Sequence, residues 1–359
     1  MIRVLVADDS RAFRAILRTI LARSPEIEVV GEAGDGHEAV SQVLTLKPDV
    51  VTMDVRMPGK DGLEAIEEIM SRRPTPVVVV SAEAGPERQE VSFRALELGA
   101  VEVLAKPRAD EKGRFEREAE EIRMAVRAVA GLRLVTRHRR AGRVAAPAPP
   151  PAALAPGHAP APFPFWPLPA DAPRVLGVAA STGGPAALAK LLRQLPAGYP
   201  VPILVVQHIA EGFERGLAHW LAGESRLAVK VAEDREPLRP GTLYLAPSGS
   251  HLGASGGQVQ LLGGDPVRGF RPAGTVLFQA LAHSYGPGAA GLVLSGMGDD
   301  GAEGLKALRD RGAWTAAQGP QSSVVYGMPR VALELGGAGV VLELDELAPA
   351  LVRLAQGRG

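Results

Sequence analysis

Short apolar runs alternate with amphipathic stretches over the first third of the chain. The segments IRVLVA, EVVGEA, DVVTMD, PVVVVSA and VEVLAKP have the length and the β-branched content of five buried strands. Between the first two, one helical face carries Phe13, Ile16, Leu17, Ile20 and Leu21. Strands that alternate with helices in this way indicate a parallel sheet covered on both faces, and therefore an α/β domain.

A second pattern of the same kind begins at Arg174. RVLGVAA, VPILVVQH and AAGLVLSG read as buried strands, WTAA and GVVLEL as later ones, and the Gly- and Pro-rich region 237–272 as hairpins. The region between the two patterns, residues 131–172, is dominated by Pro and Ala and is predicted to be an interdomain linker. The predicted architecture is α/β with two domains, over residues 1–130 and 173–359, the second a doubly wound fold with a mostly parallel sheet.

Composition narrows the possible functions. The chain has 359 residues, a formal net charge of +0 and no cysteine, which excludes thiol nucleophiles and thiolate metal sites and argues against a nucleic-acid-binding surface. No apolar stretch approaches the roughly 18 residues that span a bilayer, and the N-terminus does not resemble a signal peptide. We therefore expect a cytoplasmic protein without membrane insertion.

Five polar residues follow the predicted strands of the first domain. Asp8 and Asp9 end the first strand, Asp54 the third, Ser81 the fourth and Lys106 the fifth. The carboxyl ends of parallel strands meet at one sheet edge, where such folds bind ligands. Crowded carboxylates need a compensating cation, and hard oxygen ligands suit Mg²⁺, while a carboxylate can also act as a nucleophile and form an acyl phosphate. The alternative is that these are ordinary polar residues at strand ends.

The segments VADDS, TMDVRMPGKDG, SAEA and LAKP resemble the receiver domains of response regulators over roughly residues 1–130. The resemblance implies a flavodoxin-like fold with a five-stranded parallel sheet, phosphorylated on Asp54 by a histidine kinase. It further implies that Asp9 and Asp54 bind Mg²⁺ with help from Asp8, and that Ser81 and Lys106 contact the phosphoryl group.

A candidate nucleophile opens the second domain. In AASTGGPAALAKLLRQL, Ser181 follows an apolar strand and precedes a helix, whose N-terminus favours developing negative charge. The alternative for this serine alone is a plain helix N-cap. His208 ends the next predicted strand, and the acidic pair Asp299–Asp300 ends another, so a Ser-His-Asp triad is predicted at one sheet edge. The order Ser…His…Asp and the absence of G-x-S-x-G argue against a lipase-like fold.

Residues 173–356 resemble the catalytic domain of chemotaxis protein-glutamate methylesterases. The resemblance is carried by AASTGGP, VQHIAEGF, LYLAPSGSHL, RPAGTVLF, LSGMGDDGAEGL and GAWTAAQ in the expected order. It implies that Ser181 is the nucleophile, His208 the general base and Asp300, the second residue of the acidic pair, the orienting acid. Met297 would offer its backbone N–H to the oxyanion, and Thr182 lies beside the nucleophile. No cofactor is expected in this domain.

Three positions depart from the patterns of these two families. Val103 stands three residues before Lys106, where receivers often carry an aromatic residue. Signalling through a switch of that aromatic side chain is therefore not expected here. Ala179 replaces a usual glycine two residues before Ser181, and RPAGTVLF replaces an RPSVDVLF-like segment that contains an acidic residue. Neither of the latter two is expected to touch the triad, and the second affects the expected substrate contacts.

Together these features predict an esterase that phosphorylation activates. Its reactions would be hydrolysis of glutamyl methyl esters and deamidation of glutamines on chemoreceptor helices, and its phosphodonor a histidine kinase of the chemotaxis type. The tethered receiver is expected to inhibit the esterase by covering it. The alternatives are a receiver-regulated esterase of a pathway other than chemotaxis, and a phospho-dependent binding module with a vestigial triad. A DNA-binding regulator is disfavoured because the chain has no basic recognition helix.

Overall fold

A computed structural model describes residues 1–81, 86–108, 114–132 and 171–357. Most of the predicted linker, residues 133–170, lies outside the described residues. The described chain forms two α/β domains, as the sequence predicts. Among the described residues no helix combines the length and the apolar character needed to cross a bilayer.

The first domain is a five-stranded parallel sheet in the order β2-β1-β3-β4-β5, with helices on both faces. Its strands are β1 Ile2–Ala7, β2 Ile27–Ala33, β3 Val50–Met53, β4 Val77–Ser81 and β5 Glu102–Ala105. Its helices are α1 Arg11–Ala22, α2 Gly36–Leu46, α3 Gly62–Arg72, α4 Pro86–Leu98 and α5 Arg114–Val129. The predicted five-stranded fold is confirmed.

Local sequence accounts for the helix that follows the first strand. The Ser10 hydroxyl caps α1 by accepting a hydrogen bond from the Phe13 N–H at 3.3 Å. Phe13, Leu17, Ile20 and Leu21 are buried, so this face packs on the sheet as predicted. Ile16 is 38 % exposed instead, because it lies at the margin of the apolar stripe, about 85° around the helix from the centre of the buried residues.

The second domain is a seven-stranded sheet in the order β14-β13-β12-β6-β7-β9-β8, with every neighbouring pair parallel. Its strands are β6 Val175–Ala180, β7 Ile203–Gln207, β8 Ala228–Val231, β9 Thr242–Leu245, β12 Ala289–Val293, β13 Trp314–Gln318 and β14 Val340–Leu342. The predicted hairpin region contains an antiparallel pair, β10 His251–Ser255 and β11 Gln258–Leu262. The strands β8 and β9 are absent from the sequence prediction because they are short, and β8 lies partly exposed at the sheet edge.

Helices cover both faces of this second sheet. They are α6 Gly184–Gln194, α7 Glu214–Glu224, α8 Gly274–Ser284, α9 Ala302–Asp310, α10 Met328–Glu334 and α11 Leu344–Gln356. The chain passes from β6 to β7 on one side and later returns through β12 on the other side of β6. This reversal of strand order lies at the carboxyl end of β6, the usual position of a ligand site in such a sheet.

The two domains are in contact through α4 of the first and α7 of the second. One hydrophobic core cluster contains residues of both, including Phe93 from α4 and Trp220 from α7. At the edge of this contact, the carboxylate of Glu102 accepts a hydrogen bond from the Gly183 N–H at 3.1 Å. The first domain therefore lies against the loop that carries Ser181.

Candidate active site

The turn that carries Ser181 is held by main-chain hydrogen bonds. The Ser181 N–H donates to the carbonyl of Ser295 at 3.0 Å, and the Ser181 carbonyl accepts from the Gly184 N–H at 2.7 Å. Gly183 has φ +76°, a left-handed conformation that favours glycine, and a β-carbon there would lie 2.5 Å from the Cβ of Val324. The turn places Ser181 immediately before α6, as predicted.

Gln207 links the candidate nucleophile to the candidate base. It is buried at the end of β7, and its Nε2 donates to the carbonyls of Ser181 and His208, both at 2.9 Å. The two strand ends are thereby tied together through one side chain. Sequence reasoning missed this role, although a buried amide at the end of an otherwise apolar strand was a signal for it.

Ser295 and Gln318 support the same turn from the other side. The Ser295 hydroxyl donates to the Thr182 carbonyl at 2.8 Å, and its N–H donates to the Oε1 of Gln318 at 2.8 Å. Both residues are fully buried. These hydrogen bonds connect the nucleophile turn to β12 and β13, and neither residue was a candidate in the sequence.

His208 and Asp300 are in direct contact. The His208 Nε2 lies 2.8 Å from the Oδ2 of Asp300, and the two side chains are 7 % and 1 % exposed. The imidazole also stacks on the Phe270 ring, with centroids 3.8 Å apart and planes within 5° of parallel. The other ring nitrogen, Nδ1, is buried and has no hydrogen-bond partner among the described residues, including the Ser181 hydroxyl. It is the nitrogen that remains to receive a proton.

Asp300 is held by three backbone N–H groups as well as by His208. Its carboxylate accepts hydrogen bonds from Gly274 at 2.6 Å, Thr275 at 3.0 Å and Gly301 at 2.8 Å. Burial alone would raise the pKa of Asp300, but the hydrogen bonds and the charge of His208 outweigh it and lower this pKa to about 2. Asp300 is therefore ionised at neutral pH and fixed in orientation, as an acid that orients an imidazole must be.

Asp299 points away from His208. It forms an ion pair with Arg268, which also donates to Glu303 at 2.8 Å, and its side chain is 43 % exposed. Adjacent loop residues project in different directions, so only one of the two acids reaches the imidazole.

Met297 follows a glycine that lies against the candidate nucleophile. A β-carbon at Gly296 would lie 2.9 Å from the Cβ of Ser181, and Met297 is half-buried beside it. The side chain of Thr182 is half-buried next to the serine. Both candidates thus border Ser181.

The expectation that the unusual RPAGTVLF segment avoids the triad is wrong. Gly274 and Thr275 of this segment supply two of the N–H groups that bind Asp300, and the Thr275 hydroxyl accepts from the Gly301 N–H at 2.9 Å. The hairpin and its loop fold back over the sheet edge and bring the start of α8 against Asp300, a proximity that linear spacing does not reveal.

The candidate phosphoryl site of the first domain is also assembled at one sheet edge. The Lys106 Nζ lies 2.6 Å from carboxylate oxygens of both Asp8 and Asp54. Burial lowers the pKa of Lys106, but its hydrogen bonds to Asp54 and Asp8 outweigh this and raise it, so the ammonium stays charged. Asp9 is exposed beside them.

The donor set at this edge fits Mg²⁺. Carboxylate oxygens of Asp8, Asp9 and Asp54 lie within 4.8 Å of one another, and burial raises the pKa of Asp8 in spite of Lys106. A divalent cation would relieve this crowding. The Ser81 hydroxyl is buried and accepts a hydrogen bond from the Ser92 hydroxyl of α4 at 2.9 Å.

Comparison with known proteins agrees with this two-part construction. The family model described as CheB methylesterase matches residues 176–351, and that of the response regulator receiver domain matches residues 4–114. The chain is 46 % identical, over 100 % of its length and 98 % of the relative's, to protein-glutamate methylesterase/protein-glutamine glutaminase 4 of Myxococcus xanthus. The chain belongs to the CheB methylesterase family.

A second relative matches over nearly the whole chain, and a solved structure matches about half of it. Protein-glutamate methylesterase/protein-glutamine glutaminase 3 of Anaeromyxobacter dehalogenans is 45 % identical over 98 % of both chains. The crystal structure of the Thermotoga maritima CheB methylesterase catalytic domain is 36 % identical, with a TM-score of 0.49, and covers 51 % of this chain and 98 % of its own. The full-length matches to the two methylesterase/glutaminase relatives extend family membership over both domains of the chain.

Proposed function

We propose that the chain hydrolyses glutamyl methyl esters, and deamidates glutamines, on chemoreceptors, and that phosphorylation of its receiver domain activates it. The observation that carries the proposal is the His208–Asp300 contact at the sheet edge that also holds Ser181. The names of the relatives, which specify protein-glutamate methylesterase and protein-glutamine glutaminase, support the choice of substrate.

The proposed reaction uses Ser181 as the nucleophile. His208 removes the hydroxyl proton as the serine oxygen attacks the ester carbonyl, and ionised Asp300 stabilises the resulting imidazolium. The protonated imidazole then gives its proton to the departing methoxide, so methanol leaves and a glutamyl ester of Ser181 remains. Water, activated by His208, cleaves this ester and regenerates the serine. With a glutamine substrate the leaving group is ammonia.

Two features would stabilise the oxyanion. The positive end of α6 points toward the Ser181 turn, and the Met297 N–H follows the glycine that contacts Ser181. In comparable hydrolases the loss of one oxyanion donor costs about 3–4 kcal/mol of transition-state stabilisation.

In the receiver, Asp54 is proposed to take the phosphoryl group from a histidine kinase of the chemotaxis type. Asp8, Asp9 and Asp54 would hold Mg²⁺, which when bound neutralises charge on the transferred phosphoryl group. Lys106 and Ser81 would contact the phosphoryl oxygens. The two proposed partners, the chemoreceptor helices and a histidine kinase of the chemotaxis type, would place phosphorylation and ester hydrolysis in the cytoplasm.

The proposed regulation is inhibition by contact. The receiver reaches the nucleophile loop through Glu102, and the linker keeps the two domains at an effective concentration on the order of millimolar. A docking equilibrium needs to change by only about 1.4 kcal/mol for a tenfold change in the open fraction. The phosphoryl charge at Asp54 would supply this shift by repacking the receiver surface.

The test is methanol release from methylated receptor membranes, with and without a small phosphodonor and Mg²⁺. We expect release to rise with the phosphodonor and to fall below about one-hundredth of wild type in Ser181→Ala. Substantial release by Ser181→Ala would remove this serine from the nucleophile role. No release by the phosphorylated wild type would refute the proposed activity.

A further inference from the structure

The receiver covers an aromatic surface on α7. The Phe93 ring lies edge-on to Phe213, with centroids 6.2 Å apart and planes at 79°, and is stacked on Trp220 at 5.8 Å and 20°. Glu97, one helical turn further along α4, accepts a hydrogen bond from the Trp220 indole N–H at 2.8 Å. An aromatic and an acidic residue in successive turns of one helix thus fit one face of α7.

The same receiver surface places a glutamate at the active site. The Glu102 carboxylate accepts from the Gly183 N–H at 3.1 Å, two residues beyond Ser181, and is also hydrogen-bonded to Thr182. Glu102 is only 6 % exposed, and burial raises its pKa to about 7. A glutamate side chain is the product group named for the relatives of this chain, and here one from the receiver occupies the neighbourhood of the nucleophile.

The aromatic surface follows His208 closely in the chain. Phe213 comes five residues after His208, and Trp220 follows two helical turns later on the same side of α7. Both side chains are buried under α4 and the domain core. When the receiver moves away, the face of Trp220 that Phe93 covers becomes exposed, on the same domain interface at which Glu102 meets Gly183. Exposed aromatic surface of this kind is characteristic of binding sites.

We propose that this face of α7, formed by Phe213 and Trp220, is the surface on which the esterase domain binds a helix of its substrate protein. The receiver occupies it as a mimic, with Phe93 in the place of an apolar substrate residue and Glu102 in the place of the glutamyl group. The partner is an amphipathic helix that carries the glutamyl ester and an apolar residue on one face. This inference rests on the proposed function and adds the recognition surface.

A simple steric cover makes a different prediction. If the receiver only blocked access, α7 would have no contact with substrate once the receiver had moved. Substitutions on the two sides of the interface would then behave alike. If α7 binds the substrate helix, the esterase side of the interface has a second role that the receiver side lacks.

The experiment compares Trp220→Ala with Phe93→Ala in the full chain, using a methylated receptor fragment as substrate. Both variants weaken the same ring contact, so at saturating substrate both should raise hydrolysis without a phosphodonor. In the phosphorylated proteins, Trp220→Ala should raise KM about tenfold or more with kcat near that of wild type. Phe93→Ala should leave both parameters unchanged. Trp220→Phe, which keeps an aromatic ring, should show a KM within about threefold of wild type.

An unchanged KM for phosphorylated Trp220→Ala would overturn the inference, and so would an equal rise in Phe93→Ala. If Trp220→Ala loses kcat because its site is damaged, competition with the wild type decides instead. A peptide of residues 86–98 should compete with the receptor for the phosphorylated wild type, and the same peptide with alanine in place of Phe93 should compete less. Equal or absent competition by the two peptides would reject the surface. Failure of the wild type to release methanol would instead reject the proposed function.

Discussion

The β-carbon of Ala179 occupies the space that a side chain at Gly274 would need. A β-carbon built at Gly274 would lie 2.6 Å from that of Ala179 and 3.4 Å from the Oδ2 of Asp300. Both residues depart from the family pattern, which has a smaller residue at 179 and a larger one at 274. The two departures therefore belong to one contact close to Asp300.

This contact predicts a non-additive pair of substitutions. Gly274→Val alone should destabilise the esterase by about 1–3 kcal/mol through overpacking, and should reduce activity because the added side chain presses on Asp300. Adding Ala179→Gly should restore most of both losses. Urea unfolding and methanol release measure the double-mutant cycle, and an interaction energy near zero would show that the residues are independent.

The acidic pair should respond unequally to loss of charge. Asp300→Asn removes the ionised partner of His208, and comparable triads lose on the order of 10⁴-fold in kcat from such a change. Asp299→Asn removes only a partly exposed ion pair with Arg268 and should stay within about threefold of wild type. The kcat values of the two matched variants test the assignment, which fails if Asp299→Asn is the more damaged.

Phosphorylation should depend on Asp54 alone. Asp54→Ala should abolish labelling by a small phosphodonor, because Asp54 is the proposed nucleophile, whereas Asp8, which lies equally close to Lys106, is proposed only to hold Mg²⁺. Chelation of Mg²⁺ should abolish labelling of the wild type. Asp299→Asn serves as a control that leaves labelling unchanged, and undiminished labelling of Asp54→Ala would rule out this nucleophile.

The contact between Glu102 and Gly183 should depend on pH. Burial in the docked form raises the pKa of Glu102 from 4.5 to about 7, and the nearby charge of Glu121 acts in the same direction. A raised pKa means that docking is favoured when Glu102 is protonated and is weakened as pH rises through about 7. Activity without a phosphodonor, relative to activity with it, should therefore increase between about pH 4.5 and 7 and level off above pH 7.

The matched variant is Glu102→Gln, which keeps a hydrogen-bond acceptor but does not titrate. In this variant the ratio of activity without a phosphodonor to activity with it should stay constant across the pH range. The rate of the phosphorylated protein should stay at the wild-type value. Taking the ratio removes the pH dependence of the chemistry itself. A slope in Glu102→Gln equal to that of wild type would mean that another group controls docking.

Much of the fold and of both candidate sites could be predicted because the relevant information is local in the chain. Apolar runs define the strands. Polar residues that come directly after a strand, such as Asp8, Asp54 and Ser181, mark the edge of a sheet. Parallel sheets then bring successive strand ends together, so a linear pattern becomes a spatial cluster. The order of motifs sufficed to assign both domains to families before any contact was known.

Tertiary structure alone decided the contacts between residues distant in sequence. The family resemblance already points to Asp300 rather than Asp299, but it does not show that Gly274 and Thr275 bind the Asp300 carboxylate or that Gly274 lies against Ala179. Both contacts follow from the path of the hairpin. Phe93 stacks on Trp220 across the interface between the two domains. The hydrophobic pattern of the sequence can predict that each of these residues is buried, but not that they contact each other. Periodicity tells which residues are buried, but the partner of a buried residue depends on how the elements pack against one another.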